Sequence, residues 1–371
     1  MRNWSIPAGR LFGVEIRVHL TFVVLLLFIL LTEASAQQQF TPERGIALVG
    51  IIFLSVVIHE LAHALAALHS GRAARAVVLL PIGGVTLMDE GGDSAPKPPT
   101  EMRIAAFGPL ANLLIAFIGG VVVQQAAPEL GLMSRPWVNS GHLLRSAVWI
   151  NAILGLVNLL PAYPMDGGRV LRAVFLRWMD PVRATRRAVN VTNVIAMLFM
   201  LAGLFPWGNM WLVLIGFFLF VAAQIEERSA VFNAVLDSVC MEEIMLTDFA
   251  TLSPADTLEE ALEKAVHSLQ DDFPVVRGGE LVGIISRHKI LEALRGDGNG
   301  YIQPVMNRLI EVSSRTESLA IAFKKITGRG LSLIPVVDSG RLVGIVTLQN
   351  LMHSMALLAE TRKLRRTQEE S

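Results

Sequence analysis

Two histidines one helical turn apart, with a glutamate beside the first, form the run His59-Glu60-Leu61-Ala62-His63. On a helix, residues four apart share a face, so both imidazoles can address a single ion. Glu60 then lies next to the first ligand, where a carboxylate can take the proton of a water activated by that ion. The run interrupts Ile46–Leu68, which is otherwise apolar except for Ser55. Ionisable groups are costly in hydrocarbon, and those that occur there face a wet cavity with a function. The competing reading is a chance match on a core helix, which the placement inside an apolar span disfavours.

A catalytic zinc site needs a third ligand and an open position. The stretch Asn158-Leu159-Leu160-Pro161-Ala162-Tyr163-Pro164-Met165-Asp166-Gly167-Gly168-Arg169 supplies the best carboxylate. Two prolines break a helix there, two glycines free the backbone, and Asp166 falls at the depth expected for His59 and His63. Glu90–Glu101, rich in Gly and Pro, reads as a flexible loop, and Asp89, Asp93 and Glu101 sit in flexible loops and read as solvated. The single cysteine, Cys240, excludes an intramolecular disulfide, a CxxC pair or a cysteine-rich zinc site. Zinc must therefore be held by His and carboxylate. His69, His142, His267, His288 and His353 have no second His or Cys at ligand spacing.

The elements that must position these groups are membrane spans. With 53% hydrophobic and 17% charged residues, the chain is too apolar for an ordinary soluble protein. A formal net charge of zero gives no case for nucleic-acid binding. Apolar windows predict about six spans, at 17–34, 46–69, 104–126, 143–161, 189–205 and 209–225. Arg72 and Arg75 follow the second window, and Arg169, Arg172, Arg177, Arg183, Arg186 and Arg187 separate the fourth and fifth. The positive-inside rule then makes the N-terminus, both Arg-rich loops and the C-terminal region cytoplasmic, in the cell membrane. The run Val77–Met88, two β-prone segments around Pro81–Gly84, predicts a hairpin packed beside the helix that carries His59. Gly108-Pro109 opens a close helix contact in the third span, where Asn112 requires an interhelical partner.

The two constellations together, in this order, resemble the site-2 protease family of intramembrane zinc metalloproteases over about residues 10–225. Gly108-Pro109 with Asn112, and the Pro81–Gly84 turn, are also similar to family features. The resemblance implies one zinc per chain on His59, His63 and Asp166, with Glu60 as general base. Asn158 would steady the substrate backbone or the developing oxyanion. It further implies a single-span membrane protein as substrate, often trimmed beforehand by an upstream protease.

Beyond residue 240 the chain repeats itself. Phe273-Pro274-Val275-Val276 with Leu281–Ser286 recurs 61 residues later as Ile334-Pro335-Val336-Val337 with Leu342–Thr347. This resembles a pair of CBS domains, which in that family often bind adenine nucleotides. Ser286 and Thr347 match the family's ribose-contacting hydroxyls. Lys289 and Asn350 stand where an Asp is expected, which removes the carboxylate acceptor at both sites. Docking or homodimerisation without a ligand therefore stands beside nucleotide sensing.

The expected fold is a polytopic α-helical membrane protein of about six spans with a re-entrant β-hairpin, followed by a soluble α/β CBS-domain pair. The boundaries are a membrane-embedded zinc metalloprotease domain at 1–225, a linker at 226–240, CBS domains at 241–298 and 299–358, and a polar, disordered tail at 359–371. The leading function is intramembrane peptide hydrolysis modulated by the CBS pair. The alternative is a CBS-gated transporter or channel, and a third reading is a catalytically dead scaffold. Glu60 between two ligand-spaced histidines, with a carboxylate on a broken helix at matching depth, argues for the protease.

Overall fold

The computed structural model describes residues 4–11, 13–36, 41–71, 74–80, 83–88, 98–205, 208–268, 270–329 and 331–354. The polar tail, and the loop carrying Asp89 and Asp93, lie outside them. The chain divides into two compact units, Met1–Ala230 and Val231–Ser371.

The first unit begins with a hairpin, β1 (Ser5–Leu11) and β2 (Val14–His19), followed by helix α1 (Leu20–Ala36) and helix α2 (Pro42–His69). Strands β3 (Ala74–Leu80) and β4 (Gly83–Met88) come next, then α3 (Pro98–Ala126), α4 (Leu143–Asn158), α5 (Asp166–Phe175), α6 (Pro181–Leu204) and α7 (Met210–Ser238). Four of these helices, α2, α3, α6 and α7, are long and apolar enough to cross a membrane. The windows around residues 17–34 and 143–161 correspond to shorter apolar helices of 17 and 16 residues. The chain is an integral membrane protein.

The expected hairpin Val77–Met88 exists, but as half of a four-stranded sheet ordered β1-β2-β3-β4. Its other half is the N-terminal hairpin. Val14, Ile16 and Val18 alternate inward while Glu15 and Arg17 stay partly exposed, the period-two pattern of a half-buried strand. Arg17 bonds to Glu15 at 2.7 Å and to the Ser5 carbonyl at 3.0 Å, so the first apolar helix starts after it, not at residue 17. Strands β2 and β3 pair in parallel, Glu15 against Ala76 through Val18 against Leu79, with α1 and α2 as the crossover. Val14, Ile16, Val18, Val77 and Leu79 pack with Phe22, Val57 and Ala64 in one core. The sheet is thereby seated along α2, and β4 is an edge strand.

The second unit consists of the end of α7, α8 (Met241–Ile244) and two matching sets: α9 (Leu258–Val266), β5 (Asp272–Arg277), β6 (Glu280–Ser286), α10 (Arg287–Asp297); and α11 (Leu319–Arg329), β7 (Leu333–Asp338), β8 (Arg341–Thr347). The 61-residue offset governs their packing. Leu246 bridges to Ile345 while Asn307 bridges to Ile284. A β-carbon at Gly344 would meet the Met245 sulfur at 2.6 Å, and one at Gly283 would meet the Met306 sulfur at 2.5 Å. Each hairpin is thus covered by the segment leading into the other copy, so neither closes its core alone. Phe232, Val235 and Leu236, on the last turns of α7, pack into the second copy's core.

Candidate metal centre

The structure brings His59, His63 and Asp166 together in the buried interior of the first unit. The Asp166 Oδ2 atom lies 3.1 Å from Nε2 of each histidine, and the two Nε2 atoms lie 3.2 Å apart. In four-coordinate zinc, bonds of roughly 2.0–2.2 Å set neighbouring donors about 3.3 Å apart, so this triangle has the size of one face of the tetrahedron.

The tautomers follow from a hydrogen-bond chain anchored on backbone carbonyls, which only accept. Asn151, on α4, donates through Nδ2 to the Ala147 carbonyl at 2.9 Å and to Ser55 Oγ at 3.0 Å. Its Oδ1 is therefore the acceptor for Asn112 Nδ2 at 2.7 Å, and that same Nδ2 also donates to the Ser55 carbonyl at 3.3 Å. Asn112 Oδ1 is left to accept from His59 Nδ1 at 2.8 Å. His63 Nδ1 donates to the Ile104 carbonyl at 2.7 Å. With both Nδ1 atoms protonated, both Nε2 lone pairs face Asp166. Three electron-rich atoms this close repel unless positive charge sits among them, and the donor set fits zinc.

Backbone geometry explains how the aspartate reaches the histidines. Asp166 is the first residue of α5, where free N–H groups favour a carboxylate. A β-carbon at Gly168 would fall 2.8 Å from Tyr163 N, and one at Gly167 would run into the Leu159 and Leu160 carbonyls. Only glycines let the 159–165 loop fold back over the start of α5. That loop is pinned by Tyr163 N–H donating to Thr192 Oγ1 on α6 at 3.0 Å. Gly108 of α3 faces the cluster directly: a β-carbon there would lie 2.9 Å from His59 Nε2 and closer to the His63 ring.

Glu60 is buried at 5% exposure on the helix that presents both histidines. Asn158 is not drawn into the cluster: its amide donates to the Leu154 carbonyl at 2.9 Å within its own helix. Glu101 corrects an expectation. It sits not in a solvated loop but in the first turn of α3, 8% exposed, with Arg172 of α5 at 2.7 Å. Pro98 and Pro99 start this helix, as proline can at first-turn positions. Asn151 is the member of the site that sequence reasoning passed over, and its only sequence signal is an amide inside an apolar helix. In the second unit, Ser286 Oγ accepts from Lys289 N–H at 3.1 Å and Thr347 Oγ1 from Asn350 N–H at 3.2 Å, each capping the turn that follows.

The chain is similar to known proteins. The model of peptidase family M50 matches residues 47–131 and 134–203, and that of the CBS domain matches 241–296 and 303–357. The zinc metalloprotease MJ0392 of Methanocaldococcus jannaschii is 30% identical over 363 residues, 98% of this chain and 99% of that one. The putative zinc metalloprotease Rip3 of Mycobacterium tuberculosis is 30% identical over 311 residues, 77% of this chain and 75% of that one. Among solved structures, a site-2 protease from Methanocaldococcus jannaschii is 32% identical, covering 61% of this chain and 96% of that one with a TM-score of 0.45.

Proposed function

The chain belongs to peptidase family M50, the site-2 protease type of zinc metalloprotease, and from that premise we propose that it cuts peptide bonds in or near the transmembrane segment of a single-span membrane protein. The observation that carries this reading is the convergence of His59, His63 and Asp166 at 3.1–3.2 Å, buried among apolar helices. These three residues would hold a zinc ion, which when bound would polarise a carbonyl and acidify a water. Glu60 takes the proton of the attacking water and returns it to the leaving amine. Asn112, through His59, and the Ile104 carbonyl, through His63, keep both imidazoles in the tautomer that binds metal. Asn158, half-buried where α4 ends, turns from the Leu154 carbonyl to the substrate backbone.

A transmembrane helix shields its own carbonyls, so the substrate must unwind locally. The edge strand β4, seated beside α2, offers a backbone against which an extended segment can pair. The Arg-rich segments after α2 and between α4 and α6 support a cytoplasmic N-terminus and CBS pair, in the cell membrane. An upstream protease supplies the trimmed substrate, and the CBS pair modulates turnover. A transporter reading is not favoured, since a buried two-His, one-carboxylate triangle is a metal site rather than an ion path.

The test is a comparison of membrane proteomes from cells carrying the native chain or Glu60→Gln. A single-span protein should accumulate with the variant and be cut by purified native protein. Identical proteomes, together with a purified native chain that cuts no membrane peptide, would refute the proposal.

A further inference from the structure

Met179, Arg183, Arg186, Arg187 and Asn190 line a concavity of about 200 Å³.

 A larger groove of about 440 Å³, between α3 and α4, is apolar and lined by Phe117, Val148 and Trp149. It is the smaller one that carries chemistry. Arg183, Arg187 and Asn190 stand four and three residues apart at the start of α6, so they share one face of the helix. The same stripe continues as Val194, Met197, Leu201 and Leu204, which are 60%, 59%, 48% and 68% exposed. One exposed face is therefore cationic for its first two turns and apolar for the remainder of the span.

Charge on this stripe is under-compensated. Arg183 pairs with Asp180 at 2.8 Å and Arg186 with Glu227 at 2.9 Å, whereas Arg187 has no carboxylate partner among the described residues. Cations at a helix N-terminus also oppose the helix dipole, so three arginines there gain nothing from the helix itself. A general cytoplasmic charge bias accounts for arginines anywhere between α4 and α6. It does not account for their collection around one concavity in line with an apolar rail. Trp178, 71% exposed just before α6, is a side chain suited to the membrane–water boundary.

We propose that this stripe is a binding site for an anionic phospholipid, its phosphate held by Arg183, Arg186 and Arg187 and an acyl chain lying along Val194, Met197 and Leu201. Basic pockets at the ends of spans take such headgroups through charge-assisted hydrogen bonds. The proposal rests on α6 crossing a bilayer and is independent of the protease activity.

The test uses the full chain in nanodiscs of equal parts phosphatidylcholine and phosphatidylglycerol, with retained lipid read by native mass spectrometry. Phosphatidylglycerol should be kept in preference, and its retention should fall about fivefold for each arginine removed in Arg183→Gln/Arg187→Gln. Arg44→Gln/Arg135→Gln removes the same charge elsewhere and should leave retention unchanged. Zinc content reports folding; should the double variant lose zinc, Arg187→Gln alone carries the test, because no partner is orphaned. Equal retention of the two lipids, or an equal loss in the control variant, would overturn the site. Displacement of the lipid by millimolar glycerol phosphate would overturn the lipid assignment in favour of a soluble anion.

Discussion

Asn112 does more for the metal centre than its single hydrogen bond to His59 suggests, because it also ties α3 to α4 and α2 through Asn151 and Ser55. Replacing it with Ala removes the acceptor that holds the His59 tautomer, and groups in this position are worth about 10–100-fold in metal affinity. Asn112→Ala should therefore weaken zinc binding by that factor, measured by competition with a chelator, while Asn158→Ala should leave zinc in place and slow cleavage. Equal zinc loss in both variants would mean that Asn158 acts on the metal and not on substrate. Gly108→Ala is a harsher change than its one methyl implies. The added carbon falls onto the ligand nitrogens, so zinc content should drop although the helix propensity of the site rises. A Gly108→Ala protein with full zinc would show that α3 can retreat from α2 at no cost.

Among the elements, α5 has the most demanding task, since its first residue is a candidate ligand and it lies at the end of a loop. The Glu101–Arg172 pair fastens it to α3. Breaking a buried pair by removing one partner costs about 3–5 kcal/mol, with the lower end expected here because Arg172 is 27% exposed. Glu101→Ala should loosen Asp166 and speed zinc loss several-fold, and Arg172→Ala should do the same. If the double variant is no worse than either single one, the two act as a pair; additive losses would mean that they do not. The edge strand carries a separate expectation. Proline at Val85 or Leu87 removes a backbone donor, and residues two apart in a strand turn their N–H groups to the same side, so both variants should impair cleavage without touching zinc. Substrates with Gly, Pro or Asn near the scissile bond should be cut faster than helical ones, and indifference to both changes would remove β4 from substrate binding.

For the molecule as a whole, what could be read in the sequence was what repeats at short range. The pair His59 and His63 declares itself by helical spacing, and the CBS copies by a gapless offset of 61 residues. Asn151 could not be read this way: it meets Asn112 across 39 positions, a separation that only the packing of α3 on α4 creates. The strand β2 was legible as alternating Val14, Ile16 and Val18 but merged into the neighbouring apolar window, while the prolines before Glu101 suggested a loop where they start a helix. The division of labour between the units follows from the same local evidence. The candidate zinc ligands lie before residue 170, and among the described residues of the second unit no group of three His, Cys, Asp or Glu converges on a metal-sized site. Helix α7 runs unbroken from Met210 to Ser238, and its last turns are part of the second unit's core. A ligand or partner that binds two shapes of the CBS pair unequally would therefore act on a helix continuous with the last span. A chain ending at residue 230 should still bind one zinc and cut a membrane substrate, at a rate different from the full chain. With Lys289 and Asn350 in place of carboxylates, AMP and ATP should bind the full chain weakly in calorimetry, without a ribose-dependent gain over phosphate alone. A truncated chain that folds, holds zinc and cuts nothing would make the CBS pair part of the catalytic unit, and tight ribose-dependent binding would show that the substituted positions still recognise a diol.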